Sequence, residues 1–172
     1  MKIAYTMAPG SGDTDLLLSR LADTLASQGY TTCGTVQINT DRANGPCDMD
    51  VQVLPDGPVL RISQDLGLGS KGCRLDPAAL ETAVGLAEAQ LDPNVDLLII
   101  NKFGKHEADG RGFRTIIATA LELEIPVLVG VNALNLAAFK EFAGPDAVHL
   151  VPSDEPILEW LAIALQPEQE VA

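Results

Sequence analysis

An α/β fold, three layers deep around a mainly parallel sheet that carries an antiparallel β-hairpin insertion, is predicted by three features of this chain. Short apolar strand-like runs alternate with amphipathic helical ones. Val95 to Ile100 is nearly all apolar and lacks alternation, as expected of a central strand covered on both faces. Pro55-Asp56-Gly57 separates two segments of period two, a hairpin signal. With 172 residues, 47% of them hydrophobic and 20% charged, the chain can bury one sizeable core. A single domain over residues 1–165 is expected, with 166–172 a flexible tail.

The elements follow in order. Ile3 to Met7 reads as a strand that ends in the turn Pro9-Gly10-Ser11-Gly12 and feeds a helix from Thr14 to Ser27. Leu17, Leu18, Leu21 and Leu25 recur there at three- and four-residue steps and define a buried face. Gly29 stops the helix, Thr31 to Asn39 is a second strand, and Asn44-Gly45-Pro46 interrupts a polar segment. Met49 to Leu54 and Val59 to Ser63 form the hairpin, and Gly67 to Gly72 a loop. Asp76 and Pro77 then supply a cap and a first-turn proline for a helix reaching Gln90. After the strand at Val95 to Ile100 come a polar loop, Asn101 to Gly110, and a helix, Arg111 to Glu124. Val127 to Val131 is a further buried strand and Asn132 to Phe142 a helix; Val148 to Val151 and Asp154 to Leu165 complete the chain.

Eleven Lys and Arg against twenty-four Asp and Glu give a formal charge of −13, and the pI is near 4.3. That balance argues against a surface that wraps nucleic acid or inserts at an anionic membrane, so a bound anion needs a local exception. No apolar stretch is long enough to cross a bilayer and no secretory leader is visible, so the cytoplasm is the expected compartment. Cys33, Cys47 and Cys73 are odd in number and lack CxxC spacing, which favours free thiols over disulfides or a cysteine-only metal site.

Ligands of open parallel sheets bind beyond the carboxyl ends of the strands. The turn after the first strand, Met7 to Thr14, has the position of a phosphate loop of pattern G-x-x-x-x-G-K-[ST]. Gly12 and Thr14 fit; Met7 replaces the first glycine and Asp13 the lysine. A unit charge about 4 Å from a phosphate oxygen is worth roughly 4 kcal/mol at an effective dielectric of ~20, so this exchange repels what the lysine would attract. The alternative is that Asp13 caps the helix and Asp15 complements its dipole.

With Pro9-Gly10-Ser11-Gly12, the hairpin, Gly72-Cys73-Arg74-Leu75 and Asn101 to Glu107 in this order, the chain from Met1 to about Val131 resembles the P-loop nucleoside-triphosphatase family first recognised in thermophiles. Of that family's chemical residues Thr14, Gly104 and Glu107 stay in place. Asn101 stands where the metal-associated acid would be, and Lys102 where its acidic neighbour would be. The segments Ile62 to Asp76 and Asn101 to Gly112 are closer still to an uncharacterised bacterial family, whose members the resemblance links to molybdate transport.

The local exception to the acidic surface lies between positions 71 and 114, where Lys71, Arg74, Lys102, Lys105, Arg111 and Arg114 gather. They read either as a footprint for a small anion or as surface charges paired with the abundant carboxylates. Lys102 is placed to substitute for the missing lysine, and Ser70, Lys71 and Arg74 to form a nest for an oxyanion. Gly67-x-Gly69-x-x-Gly72 spells a dinucleotide fingerprint, but no helix opens inside it. His106 and His149 read as solvated and structural, Cys73 as inert or as activated by its basic neighbours.

The expectation is therefore a cytoplasmic protein, monomeric or homo-oligomeric, that binds a small anion or nucleotide and hydrolyses little or none of it. Its ligand residues are Gly10, Ser11, Gly12, Asp13, Thr14, Ser70, Lys71, Arg74, Asn101, Lys102, Lys105 and Arg111. Two alternatives stay open. One is an active nucleoside-triphosphatase in which Lys102 or Lys105 supplies the cation, Thr14 holds Mg²⁺ and Glu107 positions water. The other is a scaffold without a small ligand.

Overall fold

The computed structural model describes residues 2–43, 47–67 and 74–167. Ser70, Lys71 and Cys73, the Asn44-Gly45-Pro46 segment and the last five residues lie outside the described residues. Seven strands form one sheet: β1 (Ile3–Thr6), β2 (Thr32–Thr40), β3 (Asp48–Leu54), β4 (Val59–Arg61), β5 (Leu97–Phe103), β6 (Val127–Val131) and β7 (Val148–Leu150). Their spatial order is β4-β3-β2-β5-β6-β1-β7. The pairs β2–β5, β5–β6, β6–β1 and β1–β7 are parallel; β3 pairs antiparallel with both β2 and β4, which puts the hairpin at one edge.

Alternation along the central strands divides the core in two. Leu97 and Ile99 of β5, with Leu128 of β6, face helix α1 (Asp13–Ser27), whose Leu18, Leu21 and Leu25 are fully buried. Helix α6 (Asp154–Ala164) joins this layer through Ile157, Trp160 and Leu161. Leu98, Ile100, Val127 and Val129 face the other way, onto α2 (Pro77–Glu88), α4 (Arg114–Glu122) and α5 (Leu136–Ala143). Strands β5 and β6 are thus sandwiched on both faces, which is why they carry no polar alternation.

The sequence reading places the elements well and misjudges some ends. Strand β5 continues three residues past Ile100, so Asn101 and Lys102 belong to the strand. Phe103 is the cause: it is fully buried, pairs with Val131 across a register shift, and packs on Phe139 and Phe142 at ring-centroid distances of 5.4 and 5.6 Å. The polar pair is tolerated because it lies at the sheet's carboxyl rim. The expected loop also holds a one-turn helix, α3 (Lys105–Ala108), and α4 starts at Arg114 rather than Arg111. Helix α5 starts at Leu136 rather than Asn132, because the Asn132 side-chain oxygen accepts from Asn135 N at 3.0 Å and shapes a turn there. Among the described residues no helix is long and apolar enough to cross a membrane.

Candidate functional site

The turn after β1 bends through a left-handed glycine into the start of α1. Gly12 takes φ 81°, a left-handed conformation that other residues avoid, and occupies the cap position of α1. The capping role expected for Asp13 is therefore corrected: Asp13 is the first helical residue and makes no capping hydrogen bond. Its carboxylate folds back over Gly10, where an added Cβ would sit 2.1 Å from Asp13 Oδ2. Among the described residues that carboxylate accepts no hydrogen bond and forms no ion pair. Thr14 ties the turn together, its hydroxyl accepting Ala8 N at 2.9 Å.

Asp15, one residue on, is held by amides rather than by a cation. Asn101 Nδ2 donates to its Oδ1 at 2.8 Å; Asn39 Nδ2 and Gln37 Nε2 donate to its Oδ2 at 2.6 and 3.3 Å. Asn101 Oδ1 accepts Gln37 N at 2.8 Å. The network fastens the start of α1 to the ends of β2 and β5. It also uses both polar atoms of Asn101.

Two adjoining cavities open at this rim. One, about 180 Å³, is lined by Gly10, Ser11, Gly12 and Thr14 of the turn, by Asp15, Asn101 and Lys102, and by Gly130 to Asn132 at the end of β6. The other, about 330 Å³, lies on the opposite face of the sheet, between β2, the hairpin and α2. Lys102, Lys105, Arg74, Asn132 and Asn135 line it, and Val51, Ile62, Leu75, Leu80 and Phe113 make its apolar walls. Asn101, Lys102 and Asn132 border both.

The predicted cations are therefore only partly gathered. Lys102 is exposed, has no carboxylate within ion-pair distance among the described residues, and faces the same cavity as the glycine turn. It does not pair with Asp13. Lys105 borders the larger cavity but not the smaller, while Arg74, also at the larger cavity, donates from Nη1 to Cys47 O at 2.8 Å. Arg111 lies elsewhere. It lines a third hollow with Glu81, His106 and Thr115 and sits 3.9 Å from Asp109. Arg114 reaches Glu107 O at 3.2 Å and lies 4.5 Å above the Phe142 ring.

Glu107 is 2% exposed, and its two oxygens accept Gly104 N at 2.9 Å and Phe113 N at 3.3 Å. The carboxylate thus closes the loop between β5 and α4. His106, read as solvated, is instead buried and meets Glu81 Oε1 at 2.6 Å from its Nε2. The reading of the sequence also overlooked Thr35 and Gln37, whose places in the middle and end of β2 mark them as ordinary strand residues until the rim is assembled. Among the described residues no group of three or more His, Cys, Asp or Glu side chains is arranged to hold a metal.

The fold is that of P-loop nucleoside triphosphatases. The solution structure of a human cancer-related nucleoside triphosphatase superposes with a TM-score of 0.66 at 18% identity, covering 99% of this chain and 100% of that one. The crystal structure of THEP1 from the hyperthermophile Aquifex aeolicus gives 0.54 at 21% identity, covering 96% and 97%. In sequence, the molybdenum import ATP-binding protein ModC 2 of Bradyrhizobium diazoefficiens is 34% identical over 161 residues. That match takes in 92% of this chain but spans only 18% of the relative's length. The model of a family described as protein of unknown function, DUF2478, matches residues 3–160, nearly the whole domain built around this rim, and the chain belongs to that family.

Proposed function

We propose that this protein binds a small anion or nucleotide at the turn after β1 and hydrolyses triphosphates weakly or not at all, as a cytoplasmic component of molybdate handling. The observation that carries the reading is the arrangement of charge: a glycine turn at a helix start, with the Asp13 carboxylate folded over it and Lys102 entering from the neighbouring rim. Amide groups at a helix start favour an anion, and the Lys102 ammonium supports it from a different element. The ligand residues in this reading are Gly10 to Thr14, Asn101 and Lys102, with Lys105 and Arg74 at the larger cavity.

Weak hydrolysis follows from what the acids and amides already do. A magnesium ion in a phosphate loop needs oxygen donors near Thr14 and a carboxylate at the end of a nearby strand, which the resemblance puts at β5. Here that strand offers Asn101, committed to Gln37 and Asp15. Glu107 holds two loop amides. These residues do not fit the ion in that role. The link to molybdate rests on the partial match to a molybdenum import protein. Free Cys33 and Cys47 suit a reducing compartment.

Thermal melting with phosphate, sulfate, molybdate, ADP and ATP tests the reading, since a ligand that binds only the folded chain raises the midpoint with its occupancy. At least one of these anions raises it, and Lys102→Glu removes the shift. Flat curves for all of them would contradict the proposal and leave a scaffold.

A further inference from the structure

We propose that the larger cavity is the subsite for the organic body of the ligand. On this view the protein takes an organic phosphate or similar anion with a compact apolar portion, not a bare oxyanion. The inference rests on the reading that the turn after β1 holds the anionic end.

Three observations carry it. The cavity holds about 330 Å³, within the range of roughly 300–1,000 Å³ usual for small-molecule sites and far more than a tetrahedral oxyanion fills. Its walls are mostly apolar, with Val51, Ile62, Leu80 and Phe113 packed around the opening between β2 and α2. Within those walls lies Thr35, 1% exposed, whose hydroxyl has no hydrogen-bond partner among the described residues. Buried polar groups are nearly always paired, so this hydroxyl, on a side chain at the cavity wall, is the group that a ligand atom would complete.

The junction fits the same ligand. Lys102 and Asn132 border both cavities, so one molecule can rest its anionic group at the turn and its body beyond the end of β5. Asn135 adds an amide to the larger space. The apolar wall of Val51, Ile62, Leu80 and Phe113 suits a heterocycle or aryl group, while Lys102, Lys105 and Arg74 on the same lining suit the anionic part of the ligand.

Titration calorimetry on the full chain tests this with four probes: inorganic phosphate, inorganic triphosphate, phenyl phosphate and nucleotides such as AMP and GTP. Organic phosphates are expected to bind roughly tenfold more tightly than inorganic ones of equal charge. Thr35→Val, which keeps the shape and removes the hydroxyl, is expected to weaken the nucleotides by about threefold to tenfold. It leaves inorganic phosphate and triphosphate unchanged. The melting midpoint of the free variant does not fall, which shows that the fold is intact. Phenyl phosphate, whose ring has no atom to pair with the Thr35 hydroxyl, is expected to bind more tightly than inorganic phosphate and to be unaffected by Thr35→Val; its loss in that variant would mean that the substitution reshapes the cavity and would overturn the role given to the hydroxyl. Equal affinity for organic and inorganic anions, or an equal loss of both in Thr35→Val, overturns the inference while the anion seat stands. Failure of every probe to bind overturns the reading beneath it as well.

Discussion

The turn that follows β1 and the end of β5 border one small cavity and treat charge in opposite ways. At the turn, the backbone is arranged for an anion while the side chains Asp13 and Asp15 are acids. At β5, the position where the family resemblance leads one to expect an acid holds an amide, Asn101, and the next residue is an exposed lysine. Asp15 is satisfied by three amides; Lys102 has no carboxylate partner among the described residues. On the proposed reading, the contrast means that an anion seat and a hydrolytic centre are separable. The seat is set by a positive-φ glycine and a helix start, whereas bond cleavage depends on a cation and a metal-holding acid at particular positions.

The largest expected effect breaks the comparison at its β5 side. Glu107→Ala leaves two loop amides without their acceptor and is expected to destabilise the fold by about 2–4 kcal/mol in urea unfolding. A variant that keeps its stability and loses only ligand affinity would give Glu107 a direct role at the ligand. Next is Lys102→Glu, which places a third acid beside the turn, with Asp13 and Asp15. It is expected to weaken inorganic triphosphate binding by roughly tenfold or more, the loss shrinking as salt rises, because the side chain is exposed and screened. The unfolding midpoint of the free protein stays where it was. A smaller effect of opposite sign is expected for Asp13→Lys, which removes the carboxylate above Gly10 and should strengthen the same ligand by about fivefold. No gain there would mean that the folded-back carboxylate never meets the anion.

The smallest effect is a control remote from both ends. Cys33 is fully buried on β2, its thiol donating to Ala87 O at 3.3 Å, and burial raises its pKa from an ordinary 9.0 to about 11. The folded chain therefore keeps the proton after the unfolded chain has lost it. The stabilisation is complete below pH 9 and is lost as the pH rises through about 11. The difference in unfolding free energy between the native chain and Cys33→Ala should narrow across that window, with ligand affinity at neutral pH unaltered.

Much of this arrangement is legible in the sequence because it is local. The alternating elements, the hairpin at Pro55-Asp56-Gly57 and the Asp76 cap, whose Oδ1 accepts Ala78 N and Ala79 N at 3.0 and 3.1 Å, are written within a few residues. So is the glycine turn after β1. What escapes is what depends on the sheet order. Arg111 and Lys102 are nine positions apart and alike in charge, yet the turn at Gly110 to Phe113 sends the first to a separate hollow. The length of β5 was hidden because Asn101 and Lys102 look like loop residues, and only the aromatic cluster around Phe103 shows why the strand continues. The Asp15 network joins residues 15, 37, 39 and 101, a combination no single stretch of sequence displays. The unpaired Thr35 hydroxyl becomes visible only when α2 and the hairpin close over it.

Single-turnover hydrolysis of ATP and GTP with magnesium, run beside direct binding of the same nucleotides, addresses the central claim most directly. The account predicts measurable binding at the turn that depends on Lys102, with little or no release of phosphate. Rapid cleavage by the pure protein, abolished by Thr14→Ala and by Glu107→Gln in folded variants, would contradict it.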